Sequence, residues 1–159
     1  MIRNRIGFGY DMHKLRKGNE ICLGGIKINS EYSIVAHSDG DIILHALADA
    51  IFGALANGDI GTHFPSNDAN YKINSVEIIR YACELLNNSN YKINNIDITI
   101  VIESPRLQKE ISNIRKNISC LLDIDINQIS IKSSTSQKIG LVGQNKAVVC
   151  YATILISDE

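Results

Sequence analysis

Tryptophan is absent from the 159-residue chain, proline occurs only twice, and aromatic residues make up 6% of the composition. No apolar run approaches the roughly 20 residues that a membrane-spanning helix requires. The opening residues, MIRNRIGFGY, contain neither a long apolar stretch nor a cleavage-like site. We therefore expect no signal peptide, no transit peptide and no membrane span.

Neither an excess of charge nor a cysteine motif marks the chain. The formal net charge is −1 and the pI is about 6.4, so the sequence carries no electrostatic footprint for nucleic acid or an anionic membrane. The four cysteines lie far apart, and no Cys-x-x-Cys pair occurs. This spacing argues against a disulfide framework and a thiolate zinc site, and we expect reduced, mostly buried thiols in a cytosolic protein.

What the chain does contain is an alternation of strand-like and helix-like segments. Its length favours one domain, residues 1–159. The predicted element order is β, β, α, α, β, α, β, β, without an internal repeat or a linker. This order predicts an α+β fold, with a single mixed β-sheet and helices packed on one face.

Local signals predict where the helices begin and end. Ser38 with Asp41 three residues later resembles a capping box, and Asn57-Gly58 gives a C-cap for the same helix. Asn74 predicts the start of a second helix. The spacing of apolar residues predicts a third helix over 107–121. The polar stretches 60–72 and 87–95 are interpreted as a loop and a turn.

A carboxylate and two imidazoles form the first candidate site. In GYDMHKL, Asp11 and His13 stand two residues apart on a predicted strand and so face the same side. His45 lies at the border of the apolar stripe of the first predicted helix, where it can reach toward a sheet. Two imidazoles, one carboxylate and an open fourth position form the pattern of a catalytic zinc. Asp41 or Asp49, each four residues from His45, is the expected outer hydrogen-bond partner.

The same residues allow other interpretations. Asp11 and His13 could form an ion pair on a solvated surface, and His45 could be a structural residue. Two histidines and one carboxylate also form the facial triad of a mononuclear non-haem iron enzyme. However, no run of short strands suggests a double-sheet β fold for such an enzyme.

Polar residues at three element ends predict a phosphate pocket. His37 and Ser38 stand at a predicted helix N-terminus, where free N–H groups and the helix dipole favour anions. Arg106 follows one predicted strand, and Lys138 with a run of hydroxyl side chains follows another. Any one of these could be an ordinary cap or turn residue, but together they favour anion binding.

Three stretches together resemble one family, 2-C-methyl-D-erythritol 2,4-cyclodiphosphate synthase of the non-mevalonate isoprenoid pathway. They are GFGYDMHKL, AHSDGDIILHALADAIFGALANGDIGTHFP and SSTSQKIGLVG. The resemblance covers nearly the whole chain in order and length. It implies a homotrimer with active sites between adjacent subunits. We expect a bacterial cytoplasmic protein, because no plastid transit segment precedes the first motif.

The resemblance also implies a reaction. The substrate would be 4-diphosphocytidyl-2-C-methyl-D-erythritol 2-phosphate, whose 2-phosphate attacks the β-phosphate so that CMP leaves and the cyclic diphosphate remains. Without a covalent enzyme intermediate, the protein need only fold the substrate back on itself and neutralise charge. The implied cofactors are one Zn²⁺ per subunit and Mg²⁺ or Mn²⁺ bound with the substrate diphosphate. No nucleic acid or membrane partner is expected.

Site residues are implied where the motifs match. Asp11, His13 and His45 would be the zinc ligands, and His37 and Thr135 match the family's transition-state stabilisers. Phosphate would bind Ser38 together with His37. The residues implied for the erythritol portion are Asp59, Ile60, Gly61, Phe64, Pro65, Ser66, Asn67 and Asp68. Those implied for the cytidine and its diphosphate are Ile102, Glu103, Ser104, Pro105, Arg106, Leu107, Gln108, Ser134, Thr135, Ser136 and Gln137. Further implied substrate-binding residues are Met12, Leu141 and Gln144.

Four positions depart from the family pattern. Gln137 stands where a glutamate contacts the Mg²⁺ on the substrate diphosphate, so we expect weaker Mg²⁺ dependence or a higher Mg²⁺ requirement. Gln144 replaces an arginine that faces a cavity on the trimer axis, and Leu141 replaces a nearby phenylalanine. Without the guanidinium, we expect no isoprenoid diphosphate to bind at the axis. Ser66 stands where an acidic loop residue is common.

The sequence allows two more interpretations. A non-catalytic trimeric binding protein could keep this fold, but the intact Asp11, His13, His45, His37 and Thr135 argue against it. The chain could also be a fragment of a bifunctional enzyme that is fused to the preceding cytidylyltransferase. We expect it to stand alone, because 159 residues leave no room for a second catalytic domain.

Overall fold

The computed structural model describes residues 2–36, 38–65 and 73–158. The strands in these ranges are β1 (Asn4–Lys17), β2 (Glu20–Leu23), β3 (Ile26–Asn29), β4 (Tyr32–Val35), β5 (Tyr91–Val101), β6 (Ile129–Ser134) and β7 (Ala147–Asp158). The helices are α1 (Ile42–Leu55), α2 (Ile60–His63), α3 (Ser75–Asn88), α4 (Ile111–Leu122) and α5 (Gly140–Gly143), with a 3₁₀ turn at Ile126–Gln128.

Five strands form one mixed sheet in the order β4-β1-β7-β5-β6. The β5–β6 pair is parallel and the other neighbours are antiparallel. Strands β2 and β3 form a separate two-stranded hairpin. The predicted α+β fold is confirmed, and the described buried residues of sheet and helices form a hydrophobic core. The single domain over residues 1–159 stays a prediction.

The sheet has one covered face and one open face. Alternate residues of β5 and β7, including Ile98, Cys150 and Ile154, are fully buried beneath the helices. The residues between them point away, and on this open face Phe8 is 62% exposed and Tyr151 39% exposed. The helices are thus restricted to one side, and a broad aromatic surface remains on the other.

Two glycines of β1 allow α1 to lie directly on the sheet. A Cβ atom added to Gly7 would stand 1.8 Å from the carbonyl oxygen of Ala50, and one added to Gly9 would stand 1.8 Å from that of Ala46. Any side chain at these positions would push the helix outward. The glycines therefore set the distance between β1 and α1, the two elements that carry the candidate metal ligands.

The first helix begins and ends differently from the prediction. Its N-cap is Asp41 and not Ser38, because the buried Asp41 carboxylate accepts a hydrogen bond from Leu44 N at 3.1 Å. The same carboxylate accepts hydrogen bonds from the N–H groups of Gly24 and Gly25, which attach the β2–β3 turn to the helix. The C-cap is Ala56 in a left-handed conformation, not Asn57-Gly58.

The boundaries of the other elements agree with the prediction in one case and differ from it in others. The N-cap of α3 is Asn74 as predicted, and its Oδ1 accepts from Val76 N at 2.8 Å. The predicted turn at 87–95 is wrong from Tyr91 onward, since pairing with β7 makes this segment strand. Helix α4 begins at Ile111 and not at 107, and β4, α2 and α5 were not predicted.

The state of the cysteines and the length of the helices can be compared with the prediction. All four cysteines are free thiols, but only Cys150 is buried and Cys120 is exposed, so the expectation of mostly buried thiols is only partly met. Burial raises the pKa of the Cys83 thiol to about 11 and that of Cys22 to about 12. Within the described ranges, every helix is too short or too polar to traverse a lipid bilayer.

Candidate active site

The structure brings Asp11, His13 and His45 together, and we call these residues the metal triad. Asp11 Oδ2 lies 3.0 Å from His13 Nε2 and 3.0 Å from His45 Nδ1. The two imidazole nitrogens are 3.5 Å apart. Alternation on β1 places Asp11 and His13 on one face, and the close approach of α1 places His45 opposite them.

Electrostatics keep the Asp11 carboxylate of the triad ionised. Burial disfavours the Asp11 carboxylate, but hydrogen bonds and charges from His13 and His45 outweigh it and lower the pKa of Asp11 below its usual range. Burial also disfavours the His45 imidazolium, yet the Asp11 carboxylate raises the pKa of His45 overall. Asp11 therefore stays ionised at neutral pH, as a metal ligand must.

The donor set fits a single divalent ion. One ligand atom from each residue lies within 4.8 Å of the other two, and all three residues are half-buried. Two imidazole nitrogens and one carboxylate oxygen leave a position open in a tetrahedral site. Zinc and iron both accept this donor set.

The outer partner of His45 differs from the prediction. His45 Nε2 lies 2.9 Å from Ser75 Oγ at the start of α3. The Asp41 carboxylate is instead used by backbone N–H groups, and Asp49 accepts from Ile60 N at 2.8 Å. Sequence reasoning missed Ser75 because it lies thirty residues from His45, and only the Asn74 cap placed a helix start nearby.

A second predicted group meets where β5 and β6 end side by side. Here a cavity of about 390 Å³, which we call the strand-end cavity, contains many of the residues implied for the cytidine portion. It is lined by Ile102, Glu103, Pro105, Arg106, Leu107, Gln108, Ile111, Lys132, Ser133, Ser134 and Thr135. Ile111, Lys132 and Ser133 were not predicted, and Lys132 also pairs with Asp97.

One carboxylate shapes the loop beside this cavity. Glu103 Oε1 accepts hydrogen bonds from Ser136 N at 2.9 Å and Lys138 N at 3.0 Å. These bonds hold Gln137 and Lys138 in left-handed backbone conformations, with φ of 55° and 61°. Thr135 Oγ1 accepts a long hydrogen bond, 3.4 Å, from Gln137 Nε2. The N–H groups of Lys138 and Ser136 lower the pKa of Glu103.

The metal triad and the strand-end cavity are separated within one chain. Met12 pairs with Val149, Val149 with Val101, and Val101 with Ser134. The triad and the cavity therefore stand at the same height on the sheet but two to three strand spacings apart, or about 10–14 Å. A substrate bound at the cavity of this chain would have to cross β7 to reach the triad.

The segment implied for the erythritol portion is anchored at its start. Asp59 caps α2 by accepting from Thr62 N at 2.8 Å. His63 stacks on Phe52 at 4.4 Å between ring centroids, and Phe64 meets Tyr81 edge-on at 5.3 Å. These contacts fix residues 59–64 against α1 and α3.

The remaining predicted residues lie apart or outside the described ranges. Ser38 Oγ accepts from Gly40 N at 3.1 Å and lies 3.4 Å from His45 Nε2, so it stands beside the metal triad. Leu141 and Gln144 are exposed on and just after α5. The predictions for His37, Ser66, Asn67 and Asp68 lie outside the described residues.

Comparison with known proteins identifies the family. The model of the YgbB family matches residues 4–157. The chain belongs to the YgbB family. A curated YgbB relative, 2-C-methyl-D-erythritol 2,4-cyclodiphosphate synthase of Pseudoalteromonas atlantica, is 43% identical over 156 residues, covering 98% of this chain and 96% of the relative. The resemblance inferred from the motifs is thus confirmed.

Solved structures agree with this membership of the YgbB family. The IspF–CDP complex of Plasmodium falciparum is 43% identical with a TM-score of 0.88, and the match covers 98% of this chain and 97% of that one. The bifunctional IspDF of Campylobacter jejuni is 31% identical with a TM-score of 0.95, and the match covers 100% of this chain and 43% of that one.

Proposed function

We propose that this protein converts 4-diphosphocytidyl-2-C-methyl-D-erythritol 2-phosphate to 2-C-methyl-D-erythritol 2,4-cyclodiphosphate and CMP, in non-mevalonate isoprenoid biosynthesis. The observation that carries the proposal is the convergence of Asp11, His13 and His45 in a chain that belongs to the YgbB family. The bacterial curated relatives support placing the enzyme in a bacterial cytoplasm.

Zinc is the proposed occupant of the metal triad. Its preference for imidazole nitrogen and carboxylate oxygen, with a fourth position left for substrate, matches the donor atoms. Bound there, zinc would supply Lewis-acid polarisation and a fixed orientation for a phosphate oxygen. Iron is the alternative that metal analysis of the purified protein would detect.

The chain's own residues would orient two ends of one substrate. An oxygen of the 2-phosphate forms a bond to the β-phosphorus, the bond from that phosphorus to the α–β bridging oxygen breaks, and its electron pair leaves with CMP. Ser38, His37 and Thr135 are proposed to hold the phosphates in line. Positioning and charge neutralisation account for the rate enhancement in such transfers.

The strand-end cavity is proposed to take the cytidine diphosphate arm. Its Arg106 and Lys132 side chains and the hydroxyls of Ser134 and Thr135 suit a phosphorylated ligand. The Plasmodium falciparum relative is a CDP complex, which supports a cytidine ligand. Mg²⁺ or Mn²⁺ would bind with the diphosphate near Gln137, whose uncharged amide predicts a higher Mg²⁺ requirement.

A homotrimer with sites between subunits is proposed on two observations. The open sheet face presents Ile6 at 73%, Phe8 at 62% and Tyr10 at 48% exposure, and apolar residues clustered on one face are typical of a protein–protein interface. The separation of about 10–14 Å between triad and cavity is also resolved if a neighbouring chain supplies one of them. Sedimentation at several protein concentrations measures the oligomeric state.

Phosphorus NMR tests the proposed reaction. The protein is incubated with the cytidine diphosphate substrate, Zn²⁺ and Mg²⁺, and resonances of CMP and a cyclic diphosphate are expected to appear together. A protein that is trimeric and zinc-loaded but leaves the substrate intact would contradict the proposal. It would favour a binding protein on the same fold.

A further inference from the structure

Ser75 is a buried polar residue that the proposed reaction does not use. It is the first residue of α3, its exposure is 0%, and the only other buried polar residue in the described part of the chain is Asp41. Its hydroxyl touches two groups, His45 Nε2 at 2.9 Å and Asp39 Oδ1. Because the hydroxyl is fully buried and both of its partners are in place, it is a fixed contact of His45.

The direction of these hydrogen bonds follows from their chemistry. An ionised carboxylate only accepts, so the single hydroxyl proton of Ser75 must point to Asp39. The Ser75 oxygen then has lone pairs left and accepts the N–H of His45 Nε2. Asp39 Oδ2 also accepts from Ser75 N at 3.1 Å, so both donors of Ser75 are directed to one carboxylate.

This arrangement determines which way the His45 ring faces. With Nε2 held by Ser75, Nδ1 is turned toward Asp11 Oδ2 at 3.0 Å. Histidine ligands commonly donate their second N–H to such an acceptor, and loss of the acceptor typically weakens metal binding 10-fold to 100-fold. In most such sites the acceptor is a carboxylate or a carbonyl, whereas here a carboxylate acts through a serine.

We propose that Ser75, supported by Asp39, is a positioning residue that holds His45 in its metal-binding orientation. The inference rests on the proposed metal site and goes beyond the ligand set. Ser38 Oγ, at 3.4 Å from the same nitrogen, is the weaker neighbour. The contribution of Ser75 is therefore expected to exceed that of Ser38.

Zinc affinity of the purified protein tests the proposal. Competition with a chromophoric chelator gives the Kd of the wild-type protein, Ser75→Ala, Asp39→Ala and the control Ser119→Ala. Ser119 is a partly buried serine on α4 whose hydroxyl donates to Ile124 O at 2.6 Å, remote from the triad. We expect Ser75→Ala to raise the Kd 10-fold to 100-fold, Asp39→Ala to raise it less, and Ser119→Ala to leave it unchanged.

A second readout separates positioning from loss of fold. In zinc-loaded protein with ¹⁵N-labelled histidine, solvent exchange of the His45 Nε2 proton should be slow in the wild type and faster in Ser75→Ala. If Ser75→Ala does not fold, the same comparison is made with Asp39→Ala, because Asp39 is exposed.

The outcomes are distinct. If the wild type binds zinc and the Kd values of Ser75→Ala and Asp39→Ala both lie within twofold of the wild-type Kd, the positioning role is overturned. The proposed reaction would then remain intact. A folded wild type that binds no zinc would overturn both the metal site and the role of Ser75. A larger loss of zinc affinity in Ser75→Ala than in Asp39→Ala, with the affinity of Ser119→Ala unchanged, would support the inference.

Discussion

The metal triad and the strand-end cavity are built in different ways. The triad consists of side chains on β1 and α1, two regular elements that Gly7 and Gly9 bring into direct contact. The cavity lies where two strands end, and the loop beside it is shaped by one half-buried tether, Glu103. The geometry of the triad therefore depends on packing of the core, whereas the shape of the loop beside the cavity depends on a few polar contacts.

Removal of a triad ligand should have the largest effect. Asp11→Asn replaces the ionised carboxylate that both histidines contact, so zinc affinity and kcat should each fall by at least about 100-fold, the upper range for loss of an outer partner. Chelator competition and the phosphorus NMR assay measure them. Asp123→Asn, an exposed position after α4, is the matched control, and equal behaviour of the two variants would contradict the metal role of Asp11.

A substitution that separates β1 from α1 should have the next largest effect. Gly9→Ala forces a Cβ to within 1.8 Å of Ala46 O, so the helix must shift, and unfolding stability should fall by about 3 kcal/mol together with zinc affinity. Thermal unfolding with and without zinc measures both.

Gly53→Ala provides the control for this change. Gly53 lies on α1, the helix that Gly9 contacts, but a Cβ added to Gly53 would meet only Phe8 O at 3.9 Å. Its helix propensity predicts a gain of about 0.5–1 kcal/mol. If Gly9→Ala proved as stable as Gly53→Ala, the close approach would not be what positions His45.

Loss of the Glu103 tether should affect the strand-end cavity alone. Glu103→Ala frees the N–H groups of Ser136 and Lys138, and the resulting misplacement of Thr135 should lower kcat/KM about 10-fold to 100-fold with unchanged zinc affinity. Glu103→Gln keeps one acceptor oxygen and should lie between Glu103→Ala and wild type. Equal loss of zinc affinity in Glu103→Ala would show that the triad and the cavity are not independent.

The same tether predicts a pH dependence. Because the pKa of Glu103 is lowered in the folded protein, its stabilising effect is complete above the ordinary pKa of a glutamate. It is lost as the pH falls through the lowered value. Amide chemical shifts of Ser136 and Lys138 should change in that acidic range in the wild type. In Glu103→Gln they should remain constant.

The smallest expected effect concerns Mg²⁺. Gln137→Glu restores a charged oxygen next to Thr135, and Mg²⁺ prefers carboxylates, so half-saturation by Mg²⁺ should move to a lower concentration by a few-fold without a change in zinc affinity. Titration of activity with Mg²⁺ measures the shift. An unchanged half-saturation would mean that the residue at 137 does not contact the ion.

Predictions from the sequence succeeded where a signal was local. Alternation on β1 placed Asp11 beside His13, and Asn74 marked the start of α3. They failed where a distant partner decided the outcome. Asp41 rather than Ser38 caps α1 because the β2–β3 turn directs two N–H groups at its carboxylate. Tyr91 is strand because β7 pairs with it.

The sequence by itself determined the family, the α+β fold class and the ligand types, because motif spacing and periodicity are properties of neighbouring residues. Only the tertiary structure decided that Ser75 and Asp39 stand behind His45, and that triad and cavity lie two to three strand spacings apart. Hydrogen bonds between residues thirty or more positions apart depend on how elements pack. No local pattern encodes that packing.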